Sequence, residues 1–142
     1  FRNVRWWNAP LDDPGLLAFD RFRKVDRRIM DALWLRPLDV VNVLQARAYT
    51  GDGRLVVGIG DRFGPAGGRY ELEVVDGVGH CRPVDAEPDV ELGVEELGCL
   101  LLGGASAVAL GRAGLVTGAT AAVETLHDLF ATRVAPHCPE VF

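Results

Sequence analysis

The residues of this 142-residue chain best placed to do chemistry are its last ones, Ala135-Pro-His-Cys-Pro-Glu-Val-Phe142. Pro136 and Pro139 bar a helix here, so the segment reads as extended. It contains no Lys, Arg, Ser or Gly to solvate it, and Val141 and Phe142 are apolar. An apolar final residue invites docking in a pocket, and docking would hold the α-carboxylate of Phe142 in a fixed place. That group is ionised at neutral pH, with an ordinary pKa of ~3.5. Partial burial would raise it and make it a better proton acceptor. On the residues alone a merely structural tail is the simpler reading, because chain ends ordinarily fray.

Other chemistry-bearing residues carry weaker signals. His80-Cys81 and His137-Cys138 offer four soft ligands to a metal such as zinc. Neighbours on an extended strand point to opposite sides, however, and no Cys-x-x-Cys or His-x-x-x-His spacing supports a site, so no metal is expected. Gly58-Ile-Gly60-Asp-Arg-Phe-Gly64 is one residue too long for a dinucleotide fingerprint, and Pro65 follows where a helix should start. Gly104-Ala-Ser106-Ala-Val108 lacks the final glycine of a nucleophile elbow, so Ser106 reads as a small residue opening a helix. Cys99, inside an apolar helix, is expected to be an inert core thiol. Three cysteines at irregular spacing fit a reducing, cytoplasmic setting better than a disulfide framework.

The stretch 89–116 is what the rest must pack around. Asp89, Val90, Glu91 and Leu92 alternate as in a half-buried strand. Gly93 then caps a helix with Glu95 and Glu96 in its first turn and Leu97, Leu100 and Leu101 on one face. Gly103 and Gly104 stop it, and a second short helix runs over 105–113. A strand feeding two apolar helices is stable only against a sheet. Upstream, residues 54–60 alternate with Leu55, Val57 and Ile59 on one face, and 69–75 and 78–82 form a hairpin across Asp76-Gly77. Asp39 caps a helix to about Ala48, with Val40, Val43, Leu44 and Ala48 inward. A last helix spans 121–133, capped by Thr120 or Thr117, with Val123, Leu126 and Phe130 inward. Nearer the start, 1–8 reads as a strand with one ring of the Trp6-Trp7 pair on each face. Asp13-Pro14 opens an apolar helix containing Leu16, Leu17, Phe19 and Phe22. Ile29-Met30 and Leu33-Trp34-Leu35 read as strand fragments around a boundary.

A length of 142 residues suits one domain with a fragment of another. The absence of Met at position 1, with a strand already under way, reads as a chain whose beginning lies upstream. The net charge of −5 divides unevenly, +2 over residues 1–39 and −7 over the rest. An acidic body argues against nucleic acid as a partner and tolerates a cationic small molecule. No apolar run approaches the roughly 18 residues of a membrane span, and no secretory signal is visible, so no membrane partner is expected.

Five motifs together resemble the C-terminal region of the Enhanced intracellular survival (Eis) family of GNAT-type N-acetyltransferases. They are Val4-Arg-Trp-Trp-Asn-Ala-Pro-Leu-Asp-Asp13, Leu33-Trp-Leu-Arg-Pro-Leu-Asp-Val40, Ala46-Arg-Ala-Tyr49, Glu91-Leu-Gly-Val-Glu-Glu-Leu-Gly98 with Leu102-Gly-Gly104, and the terminal Ala135-Pro-x-Cys-Pro-Glu-Val-Phe142. The resemblance implies an α+β, sterol carrier protein-like fold over 32–142, a mixed or antiparallel sheet covered by helices. It makes 1–31 the end of a second GNAT-like domain. It implies acetyl transfer from acetyl-CoA, as co-substrate of a longer hexameric protein, to an amine of a cationic small molecule or peptide. The carboxylate of Phe142 would be the general base, and Glu140 would attract the amine. No acetyl-CoA loop of the Arg/Gln-x-x-Gly-x-Gly/Ala kind is present, and neither Tyr49 nor Tyr70 sits where the family's acid is expected. This chain therefore holds at most half of such an active site, with no cofactor expected in it. A lipid carrier, with an apolar cavity between sheet and helices, and a purely oligomer-forming domain are the competing readings.

Overall fold

Asp76 and Gly77 set the register of the sheet. Both take left-handed backbone, φ 51° and 76°, as a two-residue turn of the primed type requires. That turn pairs Val75 with Val78 and zips β2 (Gly68–Val75) against β3 (Val78–Pro83). β1 (Gly53–Gly60) lies antiparallel along the other side of β2, and β4 (Val90–Gly93) joins β1 in parallel. A three-residue β5 (Val116–Gly118), which no periodicity in the sequence announces, closes the order β3-β2-β1-β4-β5. The fold is α+β, with one mixed sheet and helices against it. The computed structural model describes residues 4–30 and 33–140.

Four helices supply the covering layer: α1 (Val40–Ala46), α2 (Val94–Leu102), α3 (Ala107–Arg112) and α4 (Thr120–Phe130). Leu55, Val57 and Ile59 of β1, Leu72 and Val74 of β2, and Val90 and Leu92 of β4 point to one side by the period of a strand. They meet Leu44, Leu97, Leu100, Leu126, Leu129 and Phe130 in a single core. Asp39 caps α1 through its carboxylate and the Asn42 N–H (3.0 Å), and Ser106 caps α3 through the Ala109 N–H (3.1 Å). At α2 the Glu96 carboxylate reaches back to the Gly93 N–H at 3.0 Å. That helix ends at left-handed Gly103, where Gly103 and Gly104 return N–H groups to the carbonyls of Leu100 and Cys99. Gly98 faces the Leu35 carbonyl so closely that an added Cβ would stand 2.5 Å from its oxygen.

Arg47 binds two helix ends. Its Nη1 donates to the carbonyl of Leu101 (2.7 Å) and its Nη2 to that of Phe130 (3.0 Å), two of the acceptors that α2 and α4 leave unpaired. The guanidinium lies over the rings of Phe130 and Tyr49, themselves packed edge to face. Desolvation lowers the Arg47 pKa from its usual value.

The other side of the sheet carries charge. Glu71, almost buried, is bracketed by Arg54 and Arg82 from the flanking strands. The Arg54 hydrogen bond foremost, then that of Arg82, holds its carboxyl below the ordinary 4.5. A depressed pKa contributes stability that is present above the ordinary value and is lost as pH falls through the folded one. The urea midpoint is therefore expected to fall as pH drops below 4.5, and Glu71→Gln should flatten that slope. An unchanged slope in the variant would show that the bracket contributes nothing.

The chain divides into two compact units, Leu35–Thr132 and a second made of both chain ends, Phe1–Trp34 with Arg133–Phe142. None of the residues of the second unit whose burial is described is buried. Several expectations for it change. Residues 4–8 form no strand, and Trp6 and Trp7 are both exposed; residues 1–3 lie outside the described ones. The expected strands at Ile29-Met30 and Leu33-Trp34-Leu35 are absent too, the fragments being exposed, while Asp31 and Ala32 lie outside the described residues. Asp13 caps only a 3-10 turn, Pro14–Ala18, its carboxylate accepting the Gly15 N–H. In the first unit, α1 stops at Ala46, so Ala48 is exposed and forms an isolated bridge to Val78. α4 starts from Ala119 with no side-chain cap.

Candidate functional site

The tail leaves α4 extended, as its prolines require, and contains no helix over 131–140. Three hydrogen bonds tie it to the segment after the tandem tryptophans. The Ala135 N–H donates to Asp12 Oδ2 at 2.9 Å. His137 Nε2, facing the Asn8 carbonyl at 2.9 Å, must carry the proton and donate it. The Asn8 side-chain amide donates to the Pro139 carbonyl at 2.9 Å. The tied residues are 135, 137 and 139, every second one, which is the period of an extended chain. Asn8 serves two of them because its backbone is left-handed (φ 56°), a conformation asparagine tolerates better than most residues.

Glu140 is exposed, one residue past this tie. Val141 and Phe142, with the carboxylate expected to be the base, lie outside the described residues. Both ends of the tie carry motifs legible in the sequence, but nothing there marks Asn8 and Asp12 as partners of the tail. Separations of 123 to 131 residues leave no trace in local spacing.

The remaining candidates dissolve into structure. No group of three His, Cys, Asp or Glu able to hold a metal occurs among the described residues. Gly58 and Gly60 stand inside β1 and at its end, and the loop beyond is organised by Asp61. Its carboxylate accepts the N–H groups of Phe63, Gly64 and Ala66 and pairs with Arg36, so a phosphate cradle on a helix is not formed there. Tyr49 donates its hydroxyl to the Leu44 carbonyl at 2.8 Å, and burial pushes its pKa up, as befits a core phenol. Tyr70 donates to the Ala66 carbonyl at 3.2 Å. Cys99 corrects an expectation: it is exposed, on the far side of α2 from Leu97 and Leu101. Cys81 is the core thiol instead, pushed up to about 11 by burial.

A lipid cavity between sheet and helices was the competing possibility. That space is filled by Leu44, Leu72, Leu97, Leu100, Leu126 and Leu129, all fully buried. An open groove of about 580 Å³ lies instead over Gly58, Arg69, Glu91 and Thr117, whose register puts them on the charged side.

Residues 40–139 match the family described as the sterol carrier protein domain. The chain belongs to that family. Its sterol carrier protein domain is also Eis-like over nearly the whole chain. It is 42% identical over 139 residues, 96% of its length, to an uncharacterized N-acetyltransferase of Streptomyces avermitilis, covering 33% of that protein. It is 36% identical over 103 residues to the N-acetyltransferase Eis of Mycobacterium tuberculosis, covering 70% of this chain and 24% of that one. The crystal structure of Eis1 from Mycobacterium abscessus superposes on 94% of the chain, using 34% of its own, at a TM-score of 0.81 and 32% identity. The chain thus spans about a quarter to a third of the length of the relatives it matches.

Proposed function

We propose that this sterol carrier protein domain is part of an N-acetyltransferase and supplies the α-carboxylate of Phe142 as general base. The single observation that carries the reading is the tie of the tail at 135, 137 and 139, which fixes the chain to within three residues of that carboxylate. Its relatives named N-acetyltransferases support the reaction class.

In this reading acetyl-CoA is bound by a preceding domain and supplies the acetyl group. The Phe142 carboxylate takes a proton from the substrate amine, freeing its lone pair to attack the thioester carbonyl. The carbon–sulfur bond breaks as the carbon–nitrogen bond forms, a tyrosine of that domain gives a proton to the departing thiolate, and the surplus proton shed by the new amide nitrogen replaces it. Exposed Glu140 and the net −7 of residues 40–142 favour a cationic, amine-bearing substrate. The resemblance extends the proposal to a hexamer working in the cytoplasm. Among the described residues no helix is long and apolar enough to cross a membrane.

The 142-residue chain alone is expected to turn over no acetyl-CoA. Joined to an acetyl-CoA-binding domain of the Eis kind, it should acetylate a polyamine. Turnover by the chain alone, or turnover in the joined protein that survives deletion of residues 140–142, would overturn the reading.

A further inference from the structure

We infer that Asn8 and Asp12 are positioning residues for acetyl transfer, acting through the tail to confine the Phe142 carboxylate. The inference rests on the proposed role of that carboxylate. Both residues are exposed, and neither belongs to a packed core. Their hydrogen bonds would be worth little to folding at such a site, since water competes for the same groups. What they do restrict is the tail. Ten residues, 131–140, follow the end of α4 as far as Glu140, and none of them is helical or paired in a strand.

Chain statistics give the size of the effect. A flexible segment spreads over about 5–6 Å times the square root of its length. Tied at 135, 137 and 139, the tail is held as far as Pro139. With all three ties cut, Pro139 hangs on nine residues from Phe130 and spreads over roughly 16 Å. The local concentration of a carboxylate carried beyond it then falls several-fold at any one point, before any loss of orientation. Asn8 is the more telling of the two residues. Its side chain and its backbone bind opposite ends of His137-Cys138-Pro139, so the left-handed turn at residue 8 is what lets one residue hold two points of the tail.

The experiment uses the joined, acetylating protein. Asn8→Gly keeps the left-handed backbone and the carbonyl for His137 but removes the donor to Pro139. Asp12→Ala removes the acceptor for Ala135, and Asp12→Asn retains a carbonyl oxygen for it. N8G frees the tail beyond His137 and is expected to lower kcat about twofold, whereas N8G combined with D12A leaves one exposed tie and should lower kcat several-fold, with KM for acetyl-CoA unchanged and D12N close to the parent. Carboxypeptidase should release Phe142 faster from N8G and several-fold faster from the combined variant. Unchanged trimming, or faster trimming with unchanged kcat, overturns the positioning role. Extension past Phe142 tests the underlying reading separately. If extension is harmless while N8G still speeds trimming, the base reading falls and takes the positioning role with it. If extension is destructive while N8G alters neither readout, the positioning role alone falls.

Discussion

Adding Gly-Ser-Gly after Phe142 in an acetylating protein that contains this chain is expected to lower kcat by about 10²- to 10⁴-fold, the range that loss of a general base produces. Three added residues move the only α-carboxylate by up to roughly 10 Å and leave a neutral amide where it stood. A peptide carbonyl does not accept a proton at neutral pH, so the loss should appear in kcat with acetyl-CoA affinity intact. The pH profile gives a second readout. In the parent, the acidic limb of kcat/KM reports the base and should lie above the ordinary ~3.5 of a free terminus, because a docked carboxylate is partly desolvated. That limb should vanish in the extended protein. A kcat within twofold of the parent would remove the terminal carboxylate from the chemistry.

The second large effect belongs to Arg47. Replacing it with Met keeps the length and apolar character of the stem but leaves the carbonyls of Leu101 and Phe130 without a donor. Each charge-assisted hydrogen bond is worth about 1.5–3 kcal/mol. The desolvated guanidinium also leaves its Nε unpaired, a cost the variant is spared. The net loss should be about 2–4 kcal/mol, a fall in Tm on the order of 10 °C for a chain of this size. Arg47→Lys, a point charge with no fork, can serve one carbonyl at a time and should recover about half. Stability within 1 kcal/mol of the parent in R47M would mean that the helix ends find other partners.

What the sequence disclosed was set by how local each signal is. The Asp76-Gly77 turn, the alternation of Leu55, Val57 and Ile59, and the glycine stop after α2 are written within a few residues, and all three stand as expected. Cys99, two positions on from Leu97, stands on the far side of α2 by the helical period and is exposed, contrary to the expected core thiol. The expectation of burial came from the habit of cysteines, not from the period. β5 escaped because three residues cannot display a repeat. Ile29, Met30, Leu33 and Trp34 resemble strands in composition, but they are exposed and belong to no strand. Asn8 and Asp12 could not be found by any window, because their partners lie at the opposite end of the chain. Motif resemblance marked both ends, and only the folded backbone joined them.

The position of β4 has a kinetic corollary. Three consecutive strands, β3, β2 and β1, zip through short turns, each contact rewarding a small loss of chain entropy. The partner of β1 on its other flank arrives only after the whole meander and a crossing loop over residues 84–89, with Val57 meeting Val90. Closing that larger ring is entropically dearer and returns nothing until it is complete. The meander is thus placed to form the folding nucleus, with β4, α2 and β5 docking downhill of the barrier. Substitutions at Val90 or Leu92 should accordingly quicken unfolding, whereas changes at Asp76 or Gly77 should slow the search for the native state.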